Sequence, residues 1–153
     1  ILYVMSSVFD GKDRHADLEV DTNNCIKGRT LKLLQYLNSN YPAENWSQYY
    51  TADEINWDKI IVSGHSQGGG HAGIIAKVKQ VERVLMFAAM DWISLLNRNA
   101  DWITWNSLTP EEKYYGLAHK NDELVDFSNT QTTWNNYGMS NFGNIIFMLI
   151  GND

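Results

Sequence analysis

The segment Gly64-His65-Ser66-Gln67-Gly68 constrains this chain more than any other, because of what flanks it. Immediately before it, Ile60-Ile61-Val62 is a continuous β-branched run, the pattern of a strand buried on both faces of a parallel sheet. After it the chain turns over Gly64 to Gly70, and Ala72 to Lys79 resumes with helical spacing. A G-x-S-x-G run between a strand and a helix demands a sharp turn with the serine in a strained backbone conformation. Gly64 and Gly68, two before and two after Ser66, are expected to remove side chains that would collide with neighbouring backbone. Gly68, Gly69, Gly70 and Gly73 crowd the first turns of the helix, where each costs about 1 kcal/mol relative to alanine. That cost implies close packing against the strands and room kept open around the serine.

The remaining elements fit the same architecture. Ile1 to Val8 is apolar but too short for periodicity to decide between strand and helix, and Gly11 to Asn24 is polar and reads as a loop. Ile26 to Asn38 has helical spacing through Leu33, Leu34 and Leu37, with Ile26 and Thr30 behind them, Asn24 as the candidate cap and Pro42 as the stop. Arg83 to Ala88 and Tyr114 to Ala118 read as second and third strands, Leu124 to Tyr137 as a helix stopping at Gly138, and Asn144 to Ile150 as a fourth strand. Alternating strand and helix implies an α/β fold, a parallel sheet with helices on both faces in a three-layer α/β/α sandwich. With no repeat or linker, residues 1–153 read as one domain.

Charge and composition exclude several functions. A net charge of −6 argues against a nucleic-acid partner, which would draw on clustered Lys and Arg. No apolar run approaches the roughly 20 residues of a membrane helix. Cys25 is the single cysteine, so neither an intrachain disulfide nor a Cys-based zinc site can form within these residues. Six Trp and eight Tyr beside only two Pro suit a secreted or sugar-facing surface, and no feature fixes the compartment.

The chemistry follows from the turn. Ser66 at a strand-to-helix elbow projects its hydroxyl into a cleft as a candidate nucleophile, and the Gln67 N–H at the helix start is the candidate oxyanion donor. An acid that orients a histidine base is expected after a later strand. Asp122, just past the third strand and before a helix, is the first candidate, with an ordinary helix cap as the bland alternative. Asp91, after the second strand, is the competing acid. No histidine follows His119, so none stands where the base of such a triad falls in chain order. His65 is expected to point away beneath the elbow, His71 to be a hydrogen-bonded packing residue, and His119 and His15 to have structural roles. No metal or cofactor is needed for this chemistry. Trp92, Trp102 and Trp105 are candidates for a lid or acyl pocket, and more simply for the core of a cap.

The residues WDKIIVSGHSQGGGHAGIIAK and VERVLMFAAMDW resemble a bacterial family of α/β-hydrolases described as esterase- or lipase-like. The similarity extends upstream through RTLKLLQYLNSNYP and downstream through LTPEEKYYGLAHKNDELV, so it covers most of the chain. It implies Ser66 as nucleophile, Asp122 as acid, the Gln67 N–H as one oxyanion donor, and a helix over Ile1 to Val8. Two parts of the family pattern fall outside these 153 residues: the early strands with their glycine-rich oxyanion loop, and the C-terminal histidine segment. The resemblance therefore implies a fragment of a serine hydrolase acting on a small-molecule or lipid ester, with little activity alone; peptide, thioester and polyester substrates stay open. The competing reading is a non-catalytic hydrolase-fold protein that binds through Trp46 to Tyr50 and Trp92 to Trp105.

Overall fold

The computed structural model describes residues 2–12, 14 and 18–149. They fall into two compact units, Ile1–Ile60 and Ile61–Asp153.

In the first unit, α1 (Leu2–Asp10) is a helix, as the family resemblance implies, and α2 (Ile26–Asn40) runs two residues beyond its expected end. Its cap is Cys25, not Asn24: Cys25 Sγ accepts the Gly28 N–H at 3.2 Å and donates to the Thr22 carbonyl at 3.3 Å. Asn24 is lost to the preceding turn because the Asp21 carboxylate accepts its backbone N–H at 2.8 Å. On α2 only Leu34 is buried, while Leu33 is 54% exposed, so the apolar stripe is narrower than the spacing implies. Pro42 opens a 3-10 turn and ends the helix as expected. Among the described residues Met5, Phe9, Cys25, Leu34, Ile55 and Trp57 are the buried apolar ones, with the Phe9 and Trp57 rings 5.7 Å apart.

The second unit carries the sheet. β1 (Ile61–His65) leads into α3 (Gln67–Val78), which returns the chain to β2 (Arg83–Phe87). A small antiparallel ribbon, β3 (Trp92–Ile93) with β4 (Arg98–Asn99), precedes β5 (Tyr114–His119), α4 (Phe127–Asn136) and β6 (Ile145–Met148). The main sheet is four-stranded and wholly parallel, in the order β1-β2-β5-β6, so the α/β class read from the alternation holds. Ile150 of the fourth expected strand lies outside the described residues.

Period-two alternation sorts the strands' side chains. Val62, Val84, Met86, Tyr114 and Ala118 are buried on one face. On that face α3 and α4 pack, since a Cβ at Gly73 would meet Met86 and one at Gly116 would lie 2.7 Å from the Trp134 ring. Trp134 of α4 in turn stacks on Phe147 with centroids 5.3 Å apart. The opposite face carries Leu85, Phe87, Tyr115, Leu117 and Ile146, around an apolar groove of about 380 Å³. Ile61 is 53% exposed, which corrects the expectation of burial on both faces: β1 is an edge strand here, and both helices of the unit lie on the other side.

Candidate active site

Parallel strands deliver their carboxyl ends to one edge of the sheet, and Ser66 leaves β1 there. Its backbone sits at φ 53°, ψ −121°, a region that side-chain-bearing residues rarely occupy. Three hydrogen bonds hold it. The Ser66 N–H donates to the Phe87 carbonyl of β2 at 2.9 Å, and the Ser66 carbonyl accepts from the Gly69 and Gly70 N–H groups at 3.0 and 3.3 Å. The side chain is exposed, and its hydroxyl makes no hydrogen bond with the described residues. The N–H groups of Gln67 and Gly68, in the first turn of α3, have no carbonyl to meet within the helix and carry its positive dipole end.

The glycines divide differently from the motif. A Cβ on Gly64 would overlap the Gly68 carbonyl and lie 2.6 Å from the Gly69 nitrogen, so Gly64 is required by backbone contact. Gly68 has nothing within 4 Å of such a Cβ, which corrects the expectation for this position. The tight glycine on the far side is Gly69, packed on the Ala89 methyl of the next strand's exit. His71, one turn along α3, donates from Nδ1 to the Gln67 carbonyl at 2.8 Å, as expected of a packing residue; its Nε2 then carries the lone pair and is buried with no partner among the described residues.

Asp122 lies in the turn after β5, where its N–H reaches the His119 carbonyl at 3.3 Å. Its Oδ1 accepts the N–H groups of Leu124 and Val125, both at 2.9 Å. These two bonds hold its pKa below the ordinary carboxylate value, helped by the nearby His65 and His119 imidazoles. Asp122 is not the cap of the following helix. That helix starts at Phe127 rather than Leu124, and its cap is Asp126, whose Oδ1 accepts the Asn129 N–H at 2.8 Å.

Asp91, after β2, sits in a contrasting environment. It is nearly buried, its Oδ2 has no hydrogen-bond partner among the described residues, and desolvation pushes its pKa up to about 7. Asp122 is therefore ionised at neutral pH, whereas burial makes the Asp91 carboxyl hold its proton far more tightly than an ordinary carboxylate.

The histidines differ in what they can do. His65 is exposed at the end of β1 and close enough to Asp122 to act on its charge, so it is not tucked beneath the elbow as expected. His119 Nδ1 accepts the Asn121 N–H at 3.1 Å, which leaves the proton of the neutral ring on Nε2. His15 lies outside the described residues. Of the three tryptophans proposed for a lid or pocket, Trp102 is wholly buried against Tyr137, with centroids 6.1 Å apart, and belongs to the core; Trp105 is 45% exposed. Among the described residues no group of three or more His, Cys, Asp or Glu could hold a metal ion. Sequence reading missed the buried Tyr137, whose hydroxyl lies where a Cβ of Gly73 would project; only the unusual glycine inside α3 hinted at so close a neighbour.

No protein family and no curated protein matches the chain. Among solved structures it is similar to MGS-M1, an alpha/beta hydrolase enzyme from a Medee basin deep-sea metagenome library. The two share 22% identity with a TM-score of 0.42, over 92% of this chain and 52% of that one. The chain thus spans about half the length of that structure.

Proposed function

We propose that this chain is the nucleophile-bearing part of an α/β-hydrolase that cleaves carboxylic esters through an acyl-enzyme. Ser66 Oγ attacks the ester carbonyl, the Gln67 N–H steadies the oxyanion, and collapse of the tetrahedral adduct expels the alcohol to leave an ester on Ser66. Water then attacks that ester and releases the acid. Asp122, ionised and fixed by two backbone N–H groups, orients the histidine that takes the Ser66 proton. The reading assigns that base to a histidine not supplied by these 153 residues, because in this triad order the base follows the acid and no histidine follows Asp122 here. The substrate is a small-molecule or lipid ester.

The observation that carries the reading is the Ser66 backbone, strained at φ 53° with a free hydroxyl at the amino end of α3. Such strain persists where function keeps it. The test is intact-mass spectrometry of the natively expressed protein after exposure to a fluorophosphonate probe, with Ser66→Ala beside it. One adduct per molecule, absent in the variant, supports the reading. An unlabelled native protein favours the second reading, a non-catalytic hydrolase-fold binding protein, to which the absence of any histidine after Asp122 in these residues also points.

A further inference from the structure

A second pocket lies at the opposite end of the sheet from Ser66. Because α3 runs back from the carboxyl end of β1, its last turn reaches the amino ends of the strands. The segment leading into β5 is fastened onto that turn. Leu108 N–H donates to the Lys77 carbonyl and Thr109 N–H to the Ala76 carbonyl, both at 3.1 Å. Thr109 Oγ1 donates to the Lys79 carbonyl at 2.8 Å and accepts the Val81 N–H at 2.9 Å, and Ser107 Oγ reaches the Ala76 carbonyl at 3.1 Å. These bonds hold open a pocket of about 330 Å³, within the range of small-ligand sites.

Its floor is Lys77, only 7% exposed, which is unusual for a lysine. Its Nζ donates to the Trp105 carbonyl at 2.8 Å and lies 5.0 Å from the centre of the Tyr137 ring, leaving further N–H donors unspent. Burial lowers its pKa, and the Glu111 carboxylate acts in the opposite sense. Around it stand the half-exposed Trp105, the exposed Asn106 and Asn136, and Glu111. The side chains of Asn106, Asn136 and Glu111 make no hydrogen bond with the described residues.

We propose that this pocket binds a neutral polyhydroxylated ligand, a monosaccharide unit, with its C–H face on the Trp105 indole and its hydroxyls on Lys77, Asn106, Asn136 and Glu111. The lining carries one positive and one negative charge, so Glu111 opposes a free anion and Lys77 a free cation. Uncommitted amides and a carboxylate suit hydroxyls, which both donate and accept, and Trp105, half-exposed in the same lining, is an aromatic side chain on which an apolar ring surface can pack. The site shares no residue with the elbow and does not depend on Ser66 chemistry.

The test is a ¹H–¹⁵N NMR titration of the whole chain with glucose, galactose and N-acetylglucosamine, and separately with sodium phosphate. The expected result is a saturable shift of the Trp105 indole N–H and the Asn106 and Asn136 side-chain amides with at least one sugar and none with phosphate. Trp105→Ala and Asn136→Ala should each weaken that binding by about tenfold with unchanged denaturation midpoints. No response to any of the three sugars overturns the proposal. So does a response to phosphate alone, or sugar binding that neither variant alters.

Discussion

Replacing Ser66 by glycine should make the protein more stable. At φ 53°, ψ −121° the serine lies outside the left-handed well as well as the broad right-handed regions, and a residue held there costs on the order of 1–3 kcal/mol. Glycine removes the Cβ that causes the cost, but adds freedom to the unfolded chain worth about 0.4–1 kcal/mol. The net expected gain is between about 0 and 2.6 kcal/mol, centred near about 1.3 kcal/mol. Ser66→Ala is the needed reference, because it keeps the Cβ and deletes only a hydroxyl that bonds to none of the described residues. Urea unfolding of the parent, Ser66→Ala and Ser66→Gly reads the difference directly. Ser66→Ala should sit within about 0.5 kcal/mol of the parent, and Ser66→Gly above both. A Ser66→Gly midpoint at or below that of Ser66→Ala would show that the turn stores no relievable strain and would remove the main support for the proposed function.

Three further outcomes follow from the geometry. Gly64→Ala should destabilise by about 1–3 kcal/mol, since its Cβ meets the backbone of Gly68 and Gly69, whereas Gly68→Ala should be neutral or stabilise by up to about 1 kcal/mol; equal losses in urea would refute the distinction. Asp91 binds its proton more tightly folded than unfolded, so its contribution to stability is greatest at acid pH, falls as pH rises from about 4 to about 7, and is flat above. Between pH 5 and pH 8 the parent should lose on the order of 3 kcal/mol that Asp91→Asn does not lose, and parallel urea profiles for the two proteins would contradict the burial argument. Tyr137→Phe should cost nothing or stabilise slightly, because the buried Tyr137 hydroxyl has no hydrogen-bond partner among the described residues; a loss above about 1 kcal/mol would reveal a partner.

What was legible in the sequence was whatever local chemistry decides. The β-branched run, the G-x-S-x-G turn and the helix behind it are adjacent in the chain, and they fold as neighbours. Gly138 ends α4's region at φ 80°, as a glycine after a helical pattern implies. What escaped depends on partners distant in sequence or on competition between near-equals. Whether Gly68 or Gly69 is the crowded glycine is set by Ala89, twenty residues on, and the exposure of Ile61 by the place of β1 in the sheet. Two helix starts shift for a related reason. Asp21 takes the Asn24 N–H and the cap of α2 passes to Cys25, while Asp122 takes the Leu124 and Val125 N–H groups that a sequence reading assigns to the helix and the cap of α4 passes to Asp126. The choice between Asp122 and Asp91 as acid is likewise invisible without burial: the same side chain is held ionised by two N–H groups at one position and, bare and desolvated, has its pKa raised at the other.

The strained exit at Ser66 has a counterpart one strand away. Ala88, leaving β2, also has positive φ, at 44°, although it carries a Cβ and is buried. Each of the two residues donates its N–H to the next strand over, Ser66 to Phe87 and Ala88 to Leu117, both at 2.9 Å. The parallel ladder is thus carried one bond past the end of β1 and of β2, and each bond fixes a residue that would otherwise relax. Close packing of Gly69 on Ala89 locks the two exits to one another. Strain at a single turn needs the surrounding structure to over-determine it. Here the neighbouring turn supplies that restraint, so the cost at Ser66 is carried by a pair of crossovers rather than by one. Loosening Ala88 should therefore be felt at Ser66, although no side chain of Ala88 enters the proposed chemistry.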